Sequence, residues 1–522
     1  MIREISRRKC LRLWLCKPEY MERTKWENRF VLLRFWKKNY MMFLKDLKRF
    51  KMERLYDKLK AYSESDFYAF HMPGHKRNKT LLGIELPYDL DITEIDGFDD
   101  LHHADGILKE EQERAAKVFG AEESHFLVNG STAGILSAVM GCTHRGDKIL
   151  VARHCHKSIY HAIYMNGLVP RYVYPEFDIS MHMNGEISKE DVAKALAAEP
   201  DIKAVVIVSP NYDGVVSDVK GIAEVAHSYR IPLIVDEAHG PHFGFHPAFP
   251  GRANDLGADV VINSLHKTLP SLTQTAILHI NGKLANRRRI KKYLDMLQSS
   301  SPSYIFMASL DACVDFVDGK CEEAFELYVE RLQKFREELK PLQHLQILRT
   351  EHYDISKVVI STANANITSP ELADRLRKEY HLEMEMTGGT YVLAMTTVAD
   401  TQEGLDRLKS ALLEIDGQLE AKTAVSGSIE ISGELPRLEQ YFTPQEAADR
   451  EEDGEAEEIP WKESEGHISL EYAYLYPPGS PVIVPGERIS REAVELLCYY
   501  ETQNLQIEGI QTEGKIKVWK HE

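Results

Sequence analysis

The sequence predicts an α/β protein, a mainly parallel sheet with helices on both faces, followed by smaller α+β units toward the C-terminus. Three observations carry this. Short β-branched apolar runs recur between residues 106 and 345, amphipathic helical patterns separate them, and chemically useful side chains stand directly after the runs. A strand buried on both faces reads as a continuous apolar run, and parallel neighbours need a helical crossover between them. Alternation of the two patterns therefore marks such a sheet.

Residues 1–51 differ from the rest, with 16 Lys and Arg against 5 Asp and Glu. They read as a basic extension outside the fold in preference to a membrane- or partner-binding arm, because nothing in them connects to the motifs downstream. Residues 52–105 form an N-terminal segment: a helical stretch Met52–Ala61, an extended Phe67–Phe70, and a loop His71-Met72-Pro73-Gly74-His75-Lys76. Within the large domain, 106–345, the strands are Lys148–Ala152, Ala204–Val208, Leu233–Val235 and Val260–Ile262. The helices include Ile187–Ala198 and Val219–Tyr229, and Glu322–Leu339 closes the domain before Pro341. A small α+β domain follows over 346–415, with strands Lys357–Ser361 and Tyr391–Ala394 and helices Pro370–Tyr380 and Gln402–Leu413. Residues 416–465 are polar and read as a linker whose acidic run, Glu451–Glu458, is a solvated stretch. A C-terminal domain occupies 466–522.

At 522 residues the chain is long enough for two or three packed domains. A formal charge of -17 excludes nucleic acid as the main partner and favours the approach of small cations. Seven cysteines without a CxxC pair point to neither a disulfide framework nor a structural zinc site, which fits a reducing cytoplasm. The apolar run beginning at Phe30 is cut by Arg34, Lys37 and Lys38, so it is too short to span a bilayer.

The chemistry starts at Ser264-Leu265-His266-Lys267-Thr268, directly after the strand Val260–Ile262. The carboxyl end of a parallel strand is where α/β sheets place ligands, and a partly desolvated lysine there is a useful Schiff-base former. Pyridoxal phosphate needs such a lysine, a carboxylate for its pyridine nitrogen, a phosphate cup and a support for its ring. Asp236 ends the preceding strand, in Asp236-Glu237-Ala238-His239, and is the carboxylate candidate. Asn129-Gly130-Ser131-Thr132 follows Phe126-Leu127-Val128 and opens a helix. Glycine there allows close approach, and the free N–H groups and hydroxyls would cradle phosphate. Ser264 is a further phosphate donor, and His156 follows a strand where an imidazole could lie flat on the ring. A zinc reading of His154, Cys155 and His156 fails because adjacent side chains point apart, so no metal is expected.

These motifs resemble the Orn/Lys/Arg decarboxylases: Ser264-x-His266-Lys267, Pro73-Gly74-His75-Lys76, Asp91-Ile92-Thr93-Glu94 with Asp99-Asp100-Leu101, Asn129–Thr132, Asp236–His239, Ser300-Ser301-Pro302, and Tyr476-Pro477-Pro478-Gly479 with Pro485-Gly486-Glu487. The resemblance runs from about residue 52 onward. It implies the fold type I, aspartate-aminotransferase-like architecture and a pyridoxal phosphate cofactor. It implies Lys267 as the Schiff-base lysine, Asp236 as the pyridinium partner and His156 as the stacked ring. Gly130, Ser131, Thr132, Ala238, His239, Ser264 and His266 would complete the cofactor site. Ser300 or Ser301 would reach the cofactor of a neighbouring subunit, so a homo-oligomer is expected. No wing-like N-terminal domain is present, and His239 stands where many large members carry Trp, so the chain resembles the shorter form of the family. The implied reaction is decarboxylation of a basic amino acid, arginine before lysine or ornithine, in polyamine metabolism. Transamination on the same fold and a non-catalytic scaffold are the alternatives. Asp99, Asp100 and Glu471 are candidates for holding the substrate's distal cation, and each reads more readily as a surface or capping acid.

Overall fold

The computed structural model describes residues 54–178, 181, 183–348, 351–421, 435–475, 480–502 and 505–521. The basic extension 1–51 and the motif Tyr476–Gly479 lie outside the described residues. Leu55–Glu522 form one compact unit.

Its centre is a seven-stranded sheet: β1 (Glu123–Leu127), β2 (Lys148–Ala152), β3 (Val169–Val173), β4 (Val205–Val208), β5 (Leu233–Asp236), β6 (Val260–Asn263) and β7 (Ala276–Ile280), in the order β1-β7-β6-β5-β4-β2-β3. Strands β2 to β6 run parallel to one another, while β7 is antiparallel to both β6 and β1. Every residue of β4, β5 and β6 is buried, which is why these strands carry no polar alternation. Helices cover both faces. Val139, Ile159, Leu196, Ile222 and Ile290 pack in one apolar cluster with Leu278 of β7. Leu108, Leu310 and Phe325 pack in a second with Ile277, the next residue along. The α/β architecture expected from the sequence is therefore the one observed.

The helix Glu322–Glu338 leads into a four-stranded antiparallel sheet in which Lys357–Ser361 and Tyr391–Met395 are the central pair. Helices Ser369–Tyr380 and Gln402–Asp416 pack on it. A buried contact ties this sheet to the large domain, because His242 sits between Thr268 (3.0 Å) and Asp354 (3.1 Å).

The polar stretch 416–465 departs from its reading as a linker. Its described part holds the helix Pro444–Glu452, with a Thr443/Glu446 capping box, and the strand Ala456–Pro460, paired with Lys515–Trp519. Leu435 packs with Leu438 and Trp461 in the C-terminal apolar cluster. The acidic run misleads because its glutamates face solvent from a helix end and an edge strand; surface charge describes one face of an element and says nothing of the other. A bidentate ion pair of Arg153 with Glu487, 2.6 and 2.7 Å, joins this region to the end of β2.

Candidate active site

The parallel strands deliver their carboxyl ends to one cavity of about 760 Å³. Register sets the layout: Val208 at the end of β4 is level with Asp236 at the end of β5, and β6 runs into the short helix Leu265–Thr268, which carries Lys267. The cavity is lined by Gly130, Ser131, Thr132, His154, His156, Tyr212, Asp236, Ala238, His239, His266 and Lys267, among others. The small domain adds Glu385 and Met395, and the C-terminal part adds Ser480.

Lys267 Nζ lies 2.8 Å from Nε2 of His239. Burial lowers its pKa, opposed by the Asp236 and Glu385 carboxylates, so the amine needed for carbonyl chemistry is more available than on a surface lysine. Asp236 is 3% exposed and accepts a hydrogen bond from the Ala238 backbone N–H at 3.1 Å. Desolvation raises its pKa. A carboxylate in that condition gains most from a cationic partner, which a protonated pyridine nitrogen supplies.

The helix Gly130–Cys142 begins beside the cavity, and Asn129 gives it no side-chain cap. Gly130 has φ +73° and no atom within 4 Å of where a Cβ would stand. The Gly130 N–H is taken by the Gln274 carbonyl oxygen at 2.9 Å, which leaves the N–H groups that follow it to an anion, with the Ser131 and Thr132 hydroxyls alongside. His156 accepts at Nδ1 from the Ser158 N–H (3.2 Å), and burial brings its pKa down to about 4, so it presents a neutral ring. His266 is tied at Nδ1 to the Thr275 carbonyl oxygen at 2.9 Å. The residues present fit pyridoxal phosphate at each of its four contact points.

Three residues expected here do not line the cavity. Ser264 is fully buried just before the lysine turn, and its hydroxyl has no hydrogen-bond partner among the described residues. Ser300 and Ser301 are exposed, on a segment anchored where the Ser299 N–H donates to the Asn129 side chain at 3.1 Å.

The capping reading of Asp99, Asp100 and Glu471 is the one observed, in preference to a place at the substrate's distal cation. Asp99 accepts from the backbone N–H groups of Asp100, Asp105, Gly106 and Leu108. Asp100 caps a turn through the His102 N–H and the His103 ring, and Glu471 accepts from Gln511 and Lys517 N–H groups. Asp99 and Asp100 brace their own loops, Glu471 ties its segment to 511–517, and none of the three lines the cavity. Among the described lining residues the carboxylates are Asp236 and Glu385. Glu385 is exposed and accepts a hydrogen bond from the Tyr212 hydroxyl. Sequence reasoning passed over Glu385, Tyr212, Gln274 and Ser480, since each reaches the cavity through tertiary packing and carries no local motif.

Comparison with known proteins decides the family. The Orn/Lys/Arg decarboxylase major-domain model matches residues 53–372, and the C-terminal-domain model of the same family matches 433–514. The chain belongs to the Orn/Lys/Arg decarboxylase family. It is a pyridoxal-phosphate-dependent decarboxylase of basic amino acids with the fold type I architecture. Over 471 residues it is 33% identical to the arginine decarboxylase of Bacillus subtilis, covering 87% of this chain and 95% of that one. It is 25% identical over 552 residues to the lysine decarboxylase LdcA of Pseudomonas aeruginosa, covering 83% and 73%. Among solved structures, the Francisella novicida lysine decarboxylase LdcF superposes with a TM-score of 0.76 at 20% identity, covering 92% of this chain and 83% of that one. The constitutive lysine decarboxylase of Escherichia coli gives 0.75 at 21% identity, covering 89% and 82%. The two superpositions bear on the fold. The C-terminal match starting at residue 433 also agrees with ordered structure before residue 466.

Proposed function

We propose that this decarboxylase acts on arginine, with Glu385 receiving the guanidinium at the far end of the cavity. The carrying observation is the placement of Glu385 on the cavity wall contributed by the small domain, opposite in origin to the large-domain residues around Lys267. A carboxylate suits a planar guanidinium through paired N–H donors. Relatives named arginine decarboxylase, at 32–33% identity, support the choice over lysine, for which the named relatives stand at 23–25%.

When bound, the cofactor supplies the carbonyl that captures the substrate amine and the conjugated ring that takes up the electron pair left as CO2 departs. Asp236 would hold a proton on the ring nitrogen, and the neutral His156 ring would support the ring and keep water from it. Lys267 Nζ would hold the carbonyl in the absence of substrate and would be the amine placed to return a proton to the substrate's α-carbon. Ser131 and Thr132, which line the cavity, would receive the phosphate. The described lining residues include no arginine that would retain an α-carboxylate, which supports decarboxylation over transamination. Ser300 and Ser301, exposed beside Asn129, are proposed to reach a neighbouring subunit's site in a homo-oligomer. Agmatine as product would fit a role in polyamine synthesis, and the free cysteines among the described residues fit a reducing cytoplasm.

Purified protein supplied with pyridoxal phosphate is incubated separately with arginine, lysine and ornithine. Agmatine as the predominant amine is expected. Cadaverine or putrescine in its place would refute arginine, and a keto acid would refute decarboxylation. Lys267→Ala should abolish the visible absorption band of the bound cofactor, and an unchanged spectrum would remove Lys267 from its role.

A further inference from the structure

His239 does not contact Lys267 alone. Its Nε2 is 2.8 Å from Lys267 Nζ, and its Nδ1 is 2.9 Å from the Nζ of Lys357, the first residue of the central small-domain strand. Lys357 is fully buried, and His239 is 5% exposed. A neutral imidazole has one N–H and one lone pair, whereas an ammonium group only donates. Two ammonium groups facing one ring would need an imidazolate between them. At least one lysine must therefore be a neutral amine that accepts from the ring, and an imidazolium would require both to be neutral. Whichever arrangement holds, the three groups carry at most one positive charge.

We propose that Lys357 is a positioning residue for Lys267: through His239 it takes the one positive charge the three groups can hold, and so keeps Lys267 as the free amine. This rests on Lys267 being the reactive lysine of the proposed site.

The surroundings favour charge at the Lys357 end. It faces Asp354 of the preceding turn and Asp213 of the loop after β4, both buried carboxylates, with Glu385 further out. The ring of Tyr212 lies 5.9 Å from its Nζ, while the Arg336 guanidinium donates to its backbone carbonyl and does not compete for Nζ. Lys267 faces Asp236 and Glu385, with the neutral His156 and His266 rings close by. Asp236 is the group assigned to the cofactor nitrogen, leaving less to hold a proton on Lys267. Burial lowers the pKa of both amines, Lys357 to about 8.

The test reads Lys267 directly and requires no turnover. Full-length protein freed of cofactor is treated briefly with cyanate, which carbamylates neutral amines, and labelling of Lys267 is followed against pH by peptide mass spectrometry. Lys357→Met removes the competing charge, so the labelling midpoint should rise by about one pH unit or more, about tenfold less labelling at pH 8. Lys357→Arg keeps a cation that donates to Nδ1 and should leave the midpoint near that of the parent protein. Should the methionine variant not fold, Lys357→Gln, which keeps a hydrogen-bonding group against the ring, is expected to raise the midpoint in the same direction. An unchanged midpoint in the folded neutral variant, or an equal rise in the arginine variant, would overturn the proposal. Because cyanate labelling involves no amino-acid substrate, failure of the arginine assay and failure of this inference remain separate results.

Discussion

Glu487→Gln should loosen the C-terminal region and weaken cofactor retention together. The Arg153 and Glu487 side chains are 3% and 1% exposed, joined by two bonds of 2.6 and 2.7 Å. The guanidinium also donates to the Val482 carbonyl oxygen at 2.9 Å and lies 4.7 Å over the Tyr172 ring, while Glu487 accepts from the Val484 N–H. Gln keeps the shape and removes the charge, leaving a buried guanidinium without its counter-ion. That costs about 3–5 kcal/mol. The link to the site is short: Ser480 Oγ donates to the His154 carbonyl oxygen at 2.8 Å, and both residues line the cavity. Urea unfolding is followed by tryptophan emission, to which Trp461 and Trp519 of the C-terminal region contribute, alongside the rate of loss of the visible cofactor band. A double-mutant cycle with Arg153→Met and Glu487→Leu should recover much of the loss, since an apolar pair leaves no buried charge, with a coupling of about 2 kcal/mol or more. A single-variant loss below about 1 kcal/mol, or strictly additive losses, would refute the reasoning.

Gly141→Ala should cost about 1–3 kcal/mol in thermal unfolding, because the new Cβ would stand 2.8–2.9 Å from the Ile290 backbone, which cannot move aside as a side-chain tip can. Its helix opens at Gly130, so cofactor affinity should fall as well. Glu385→Gln should raise KM for arginine about tenfold, corresponding to the loss of one charge-assisted interaction, and unchanged kinetics would dismiss Glu385 as the guanidinium receptor. His279 is buried with its pKa brought down to about 3 by desolvation, so it favours folding as a neutral ring. That contribution is complete above its unfolded value of 6.5 and shrinks as pH falls from there toward 3, by about 1.4 kcal/mol per pH unit. His279→Gln should therefore show a shallower acid slope of urea stability than the parent protein, and parallel slopes would refute the assignment.

The parts of the fold and site that were legible share one property, that their signal is local. Strands β4, β5 and β6 lie within one residue of their expected bounds because burial on both faces leaves an unbroken apolar run. Ala276–Ile280 escaped notice, since three apolar residues, a histidine and an isoleucine following Thr273-Gln274-Thr275 fit a buried helix as well as a strand, and only pairing with β1 and β6 makes it antiparallel. Asp236, His266 and Lys267 could be assembled because each stands at or just beyond a strand end, where β-sheet geometry itself aims it into the cavity. Lys357 and Glu385 arrive from residues 90 and 118 positions beyond Lys267, and their approach depends on how two domains pack. Asp99, Asp100 and Glu471 are more instructive. Each reads in the sequence as a capping acid before a cation holder, and each is held by backbone N–H groups, those of Asp99 and Asp100 local and those of Glu471 from Gln511 and Lys517. An acid amid glycines and turns is the one the backbone will recruit, because unpaired N–H groups at loop bends need an acceptor. Whether a carboxylate is left over for a ligand is settled by every donor the fold brings near it. Glu385 is left facing the cavity because, among the described residues, the side-chain donor the fold brings to it is the hydroxyl of Tyr212, a large-domain residue that lines the same cavity.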